Sequence, residues 1–247
     1  MIQITQTDGC HELIIDRPER RNALNDAMYR QLNHALQAAQ ADPACHAVIL
    51  SGAGGHFTAG NDLAEFQIPQ DTSDIASIAF LHTLASIDVP VIAAVQGQAV
   101  GVGVTLLQHC DFVYADESAR FWLPFVSLGL CPEGASSLLL SRIAGPRRAA
   151  QWLLGATPFG ANEALDGQLL TALSTAGNTL ADARQCARTL AAHPVQALRL
   201  SKRMMRDPDR AEVARVLDAE RDQFFARLQS AEAQAAFQEF FARKQSS

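Results

Sequence analysis

The sequence predicts an α/β body followed by a helical C-terminal region. Two observations carry that fold class. Short apolar runs alternate with helical patterns up to about residue 135, and beyond that point the strand pattern nearly vanishes. A third observation bounds the size: 247 residues, 48% of them apolar, are enough to bury a sizeable core, as one large domain or as one domain plus an appendage. The α/β body is placed at residues 1–190 and the helical region at 191–247.

The elements follow in order. Residues 2–7 and 11–15 read as two short strands around Asp8-Gly9, a hairpin turn signal. Asn25 or Asp26 caps a helix whose Met28, Leu32, Ala35, Leu36 and Ala39 recur at helical spacing. Val48-Ile49-Leu50 is a buried strand running into the loop Ser51-Gly52-Ala53-Gly54-Gly55. A helix from Ile75 to Ser86 is stopped by Asp88-Val89-Pro90. Val91–Val95 is a strand, Val102–Leu107 a helix, and Phe112-Val113-Tyr114 and Arg120-Phe121-Trp122 mark two further strands. Residues 179–192, 194–206, 209–229 and 231–243 all read as helical, with Pro194 and Pro208 placed as first-turn prolines that start new helices.

The formal charge of −6 advertises no broad nucleic-acid surface. Arg17, Arg20 and Arg21 cluster locally, as a solvated turn or as a small phosphate contact. The start, Met1-Ile2-Gln3-Ile4-Thr5, has neither a basic region nor an apolar signal core, and Gln245-Ser246-Ser247 is not a peroxisomal address. Five dispersed cysteines without a C-x-x-C pair argue against a disulfide frame or a zinc site and suit a reducing cytosol, so a cytoplasmic location is expected. No Asp, Glu, Lys or Arg occurs from Val89 to Cys110, but Pro90, Gln96, Gly97, Gln98, Gly101, Gly103 and Gln108 interrupt the run. It therefore reads as a buried strand, a glycine turn and a buried helix rather than a membrane span.

Two glycine-rich stretches invite a dinucleotide reading, and both fail it. Gly52-Ala53-Gly54-Gly55-His56-Phe57 has Phe where a third glycine is required, and Gly97 to Gly103 has the wrong spacing. Backbone N–H groups supply another use. Gly60-Asn61-Asp62 follows a strand and a loop where a short helical turn begins, and Gly101-Val102-Gly103 opens a buried helix. N–H groups at helix starts are unpaired and partly positive, so two converging on one oxygen would form an oxyanion hole. The plain alternative is a pair of tight turns.

Four segments in sequence resemble the crotonase (enoyl-CoA hydratase/isomerase) family. Arg17-Pro18-Glu19-Arg20-Arg21-Asn22-Ala23-Leu24-Asn25 is similar to the segment lining the CoA adenine pocket. Phe57-Thr58-Ala59-Gly60-Asn61-Asp62-Leu63 resembles F-x-A-G-x-D-L, and Gly97 to Gly103 resembles G-x-A-x-G-x-G. Cys110 to Ala115 matches a following C-D-x-x-x-A strand. The resemblance covers about residues 10–160 and fits the helical tail more loosely. It implies a spiral of β-β-α turns and a C-terminal region for trimerisation and for closing the CoA site. It further implies an acyl-CoA thioester partner and a homotrimer or hexamer, with no metal and no separate cofactor. Oxyanion donors fall on the N–H groups of Asn61 and Val102. Acyl-CoA contacts fall on Arg21, Ala23, Ala59, Gly60, Asn61, Asp62, Leu63, Val102 and Phe125. Many relatives carry Gly where Val102 stands; a backbone donor survives that change.

Asp62 and Asp111 read as structural carboxylates that accept backbone N–H groups in turns. Hydratases of the family activate water with two glutamates, and those positions hold Thr105 and Phe125 here. Phe125 is instead assigned to an apolar acyl pocket, with Phe66, Phe80, Leu84 and Leu128. Another carboxylate, Glu133, lies in Leu128-Gly129-Leu130-Cys131-Pro132-Glu133-Gly134-Ala135-Ser136-Ser137. This stretch and Ala59-Gly60-Asn61-Asp62-Leu63 are similar to the peroxisomal-type 3-enoyl-CoA to 2-enoyl-CoA isomerases, which implies that Glu133 is the base. On that reading Glu133 moves a proton from C2 to C4 while the two donors hold the thioester oxygen. Another crotonase activity, hydratase-like or thioesterase, and a catalytically silent acyl-CoA-binding protein remain the alternatives.

Overall fold

A computed structural model describes residues 1–65 and 75–245. The hairpin forms as β1 (Ile2–Thr7) and β2 (Cys10–Ile15), turning at Asp8-Gly9, both with positive φ. Helix α1 (Asp26–Ala41) starts where Asn25 accepts the Met28 N–H at 3.0 Å, and its Met28, Tyr29, Leu32, Ala35, Leu36 and Ala39 are buried. Then follow β3 (Ala47–Gly52), α2 (Ala76–Ser86), β4 (Val91–Val95), β5 (Gln98–Val100) and α3 (Val102–Thr105). The chain continues through β6 (Phe112–Ala115), β7 (Arg120–Trp122), α4 (Ser136–Ala144), α5 (Pro146–Leu153), β8 (Phe159–Gly160), α6 (Ala161–Asp166) and β9 (Ala172–Leu173). Three helices finish it: α7 (Thr179–Ala191), α8 (Val195–Leu228) and α9 (Ala231–Gln245).

The first four strands share one sheet, and from β4 to β7 the chain passes back and forth between two sheets, which makes the spiral. One sheet runs β1-β2-β3-β4-β6-β9, parallel except for the β1–β2 hairpin; the other runs β5-β7-β8. Strands β3 and β4 are buried on both faces, as expected of central parallel strands. Their period of two divides the core. Val48, Leu50, Val91, Ala93 and Val95 join the main cluster beneath α1 and α2, while Ala47, Ile49, Ile92 and Ala94 meet Ala183, Ala187 and Leu190 of α7.

Helix α8 is tied to this body by cations along its N-terminal half, while Val213, Leu217, Phe224 and Leu228 of its C-terminal half join the main core. Arg199 donates to the carbonyls of Ala39, Gln40, Asp42 and Cys45, satisfying the C-terminal end of α1. Lys202 lies 2.6 Å from Asp111 and donates to the Val89 carbonyl at 2.8 Å, and Arg206 lies 3.2 Å from Asp111. Arg203 and Arg210 both pair with Asp88. These ties correct one expectation: Pro208 does not start a helix but sits inside the continuous α8. Proline removes a single helical hydrogen bond there, on a stretch where Met204 and Pro208 are both exposed, and ion pairs at 203, 206 and 210 clamp both flanks.

No described helix is long and apolar enough to cross a membrane.

Candidate active site

The glycine loops come together through backbone pairing. Leu24 N–H donates to the Gly60 carbonyl at 2.8 Å, Asp62 N–H to the Leu24 carbonyl at 2.8 Å, and Ala59 N–H to the Arg21 carbonyl at 2.9 Å. The segment Arg21 to Leu24 therefore runs beside Ala59 to Asp62, bringing together positions nominated from sequence at separate places. Thr58 bridges Ala99 and joins these segments to β5. Gly60 has φ +88°, and a Cβ there would sit 2.6 Å from the Val100 carbonyl, so only glycine lets the two loops touch.

Asn22 adds a brace that the sequence reading did not single out. Fully buried, it donates to the Ala53 and His56 carbonyls at 2.8 and 2.7 Å and accepts the Arg17 N–H at 2.9 Å. Arg17 in turn pairs with Asp62 at 2.8 Å, so of the three clustered arginines this one is spent on loop geometry. Arg20 and Arg21 remain exposed. Asp62 and Asp111 hold structural partners: Arg17 and the Ala64 N–H for the first, Lys202, Arg206 and the Val91 N–H for the second.

The N–H groups of Asn61 and Val102 donate to no acceptor among the described residues, whereas neighbouring Gly60, Asp62, Gly101 and Val104 all find one. Val102 is the first residue of α3 and is fully buried. A buried N–H without a partner is uncommon.

Glu133 lies where the chain turns into α4. The turn is held from outside the segment. Glu220 of α8 accepts the Ala135 and Ser137 N–H groups at 2.6 and 2.9 Å, and His109 bonds the Gly134 carbonyl at 2.8 Å. A Cβ on Gly134, which has φ +73°, would fall 2.7 Å from Thr105 Oγ1, so the turn rests directly on α3. The Glu133 side chain is 5% exposed and its Oε1 has no partner. Burial and the like charge of Glu220 push its carboxyl up to about 8, against a side-chain hydrogen bond from Asn61 that favours the ionised form. Burial drives His109 down to about 4, so it is neutral and donates to Gly134.

Glu133 and Asn61 line one cleft of about 570 Å³ of empty space, its open mouth included. Leu24, Tyr29, Ile75, Ile78, Phe224 and Phe225 supply its apolar wall. The acyl-pocket expectation is corrected here. Phe80 and Leu84 are core residues at 0% and 1% exposure, Phe125 is 4% exposed in the same core, and none lines the cleft. Leu128 is partly buried against that core, and Phe66 lies outside the described residues. Thr105 is fully buried with an unpartnered Oγ1, so neither it nor Phe125 supplies a carboxylate. Tyr29 was also missed: its hydroxyl donates to Asn61 Oδ1, and its ring packs 5.8 Å from that of Phe80. The signal for it was a phenol on an otherwise apolar helix face, since a buried hydroxyl needs a partner.

A spiral of paired sheets carries a cleft lined by Asn61 and a buried acid, Glu133, while Val102 is fully buried and lies outside the cleft lining. The comparisons agree with the fold. The family model described as enoyl-CoA hydratase/isomerase matches residues 5–247, and the chain belongs to that crotonase family. The solved structure of Pseudomonas aeruginosa OdaA is 40% identical with a TM-score of 0.93, covering 97% of this chain and 98% of that one. Human enoyl-CoA delta isomerase 2 is 32% identical over 98% of this chain, which spans 63% of that relative's length. The 1,2-epoxyphenylacetyl-CoA isomerase of Escherichia coli K12 is 35% identical over 87% of this chain and 85% of its own. Hydratases and dehalogenases stand among relatives at similar identity.

Proposed function

We propose that this protein isomerises 3-enoyl-CoA to trans-2-enoyl-CoA during degradation of fatty acids or related acyl-CoA compounds, with Glu133 as the single acid–base group. The observation that carries the reading is the Glu133 carboxyl: buried, raised toward neutrality, one oxygen unpartnered, and facing the same cleft as Asn61. The thioester oxygen accepts from the Asn61 and Val102 N–H groups. Glu133 takes a proton from C2, the electrons of that C–H bond enter a dienolate, and the protonated Glu133 returns a proton to C4 while the double bond settles between C2 and C3. Each oxyanion donor contributes about 3–4 kcal/mol to the barrier, and a positioned base about 10²–10⁴-fold. No separate cofactor takes part, because CoA arrives with the substrate.

Arg21, Ala23 and Ala59 to Leu63 hold the adenine side of CoA, an assignment supported by the backbone pairing of Arg21 to Leu24 with Ala59 to Asp62. The region from residue 191 onward closes the site, which is supported by Phe224 and Phe225 of α8 in the cleft wall. Exposed Leu200, Met204 and Met205 on α8 support association of copies into trimers or hexamers. Unpaired cysteines support a cytoplasmic setting.

Substrate profiling tests the reading. A 3-enoyl-CoA is expected to be converted to the 2-enoyl isomer, and a 2-enoyl-CoA to take up water far more slowly. Hydration outpacing isomerisation would move the protein to the hydratase alternative. Tight CoA binding with no thioester turned over would make it a silent binder.

A further inference from the structure

Tyr29 reaches the site from α1, a long way in sequence from both Asn61 and Glu133, and its hydroxyl ends on the Asn61 side-chain oxygen. A primary amide has two chemically opposite ends, an acceptor oxygen and a donor NH₂. Left alone, the Asn61 amide has two ways to face Glu133: NH₂ forward, which suits a carboxylate, or oxygen forward, which suits a carboxylic acid. Tyr29 decides between them. It is 3% exposed, and burial together with the charges of Glu133 and Glu65 holds the phenol protonated, so it offers an O–H. An O–H engages the amide oxygen and leaves NH₂ for Glu133.

We propose that Tyr29 is a positioning residue for the base, fixing the Asn61 amide so that a proton taken up by Glu133 finds no acceptor in the protein and goes back to the substrate. The inference deepens the isomerase reading and rests on it for its kinetic consequence. Other groups around Glu133 do not provide that acceptor. Glu220 on α8 already accepts two backbone N–H groups, Cys131 on the same turn is a thiol held protonated by burial, and His109 is engaged with the Gly134 carbonyl. Arg221 at the cleft wall is paired with Asp218 and Asp222, and Glu65 faces Tyr29. Without the phenol, the amide turns and accepts from protonated Glu133. The acid form is then stabilised, and the proton dwells on the enzyme long enough to exchange with solvent.

Tyr29→Phe in the full chain, assayed with a 3-enoyl-CoA in deuterated water, reads this directly. A hydrogen bond to a charged group is worth roughly ten-fold or more in rate. Expected is a kcat about ten-fold lower with KM within about two-fold of wild type, an acid limb of kcat/KM moved to higher pH, and more product carrying deuterium at C4. Values for kcat, pH limb and deuterium content all matching wild type would overturn the proposal. A second measurement stands apart from turnover and from the folding of Tyr29→Phe. The chain has 2 tyrosines, so Tyr114→Phe protein grown on 3-fluorotyrosine carries one ¹⁹F label, at position 29. Its resonance is expected to titrate near pH 8, and the added substitution Glu133→Gln to abolish that titration. A resonance flat across this range, or one that titrates unchanged without Glu133, would overturn the proposal. Wild type that turns over no 3-enoyl-CoA would instead end the isomerase reading, with the ¹⁹F result still deciding the coupling.

Discussion

The proposed donors and the proposed base are built by different means. The donor half, Asn61 and Val102, is backbone: two glycine loops drawn together by main-chain hydrogen bonds and braced by Asn22 and by the Arg17–Asp62 pair. The base half is side chain. Glu133 points into the cleft because Glu220, 87 positions along the chain, receives the N–H groups that begin α4, and because His109 holds the next carbonyl. A backbone donor does not depend on the side chain of its own residue. A side-chain site is specific, and it is where chemistry diverges within one fold.

Removing the base breaks the comparison hardest. Glu133→Gln is expected to cut isomerisation by about 10²–10⁴-fold while leaving CoA affinity within a few-fold, measured by single-turnover kinetics and calorimetry. The donor half is probed by Val102→Pro, which deletes one N–H at the first helical position, where proline is tolerated. About 10²–10³-fold in kcat should be lost, with a smaller change in melting temperature.

The next effect is on stability. Asp111→Ala strands buried Lys202 and is expected to cost about 3–5 kcal/mol, seen as a lower denaturant midpoint. Glu133→Gln acts the other way. The folded carboxyl titrates at about 8 and an unfolded one near the ordinary 4.5, so the folded chain keeps a proton that the unfolded chain releases. Stability is therefore lost as pH rises between those values. The variant should melt at the same temperature as wild type below that window and higher than wild type above it. Smallest is Glu220→Gln. Removing the like charge should move the acid limb of kcat/KM downward in pH, and the weakened cap should cost about 1–3 kcal/mol.

The same contrast explains what was legible in the sequence. The loops carrying Asn61 and Val102 could be read because glycines and strand ends report backbone directly, and Asn25 announced α1 for the same reason. Glu133 was found through its turn motif, but its surroundings were not, since Glu220 and His109 arrive through tertiary packing that has no local signature. Phe80, Leu84 and Phe125 were apolar and near the motifs, yet a core residue and a pocket residue have the same composition, and burial decided for the core. Pro208 was read by its own propensity, and the ion pairs that override it come from Asp88 and Asp111, about a hundred residues away.

The most direct test of the central claim is a crystal structure with a non-reacting 3-enoyl-CoA analogue bound. The account predicts the thioester oxygen within hydrogen-bond distance of the Asn61 and Val102 N–H groups, and the Glu133 carboxylate about 3–3.5 Å from both C2 and C4. A thioester oxygen held elsewhere, or a Glu133 carboxylate out of reach of either carbon, would contradict it.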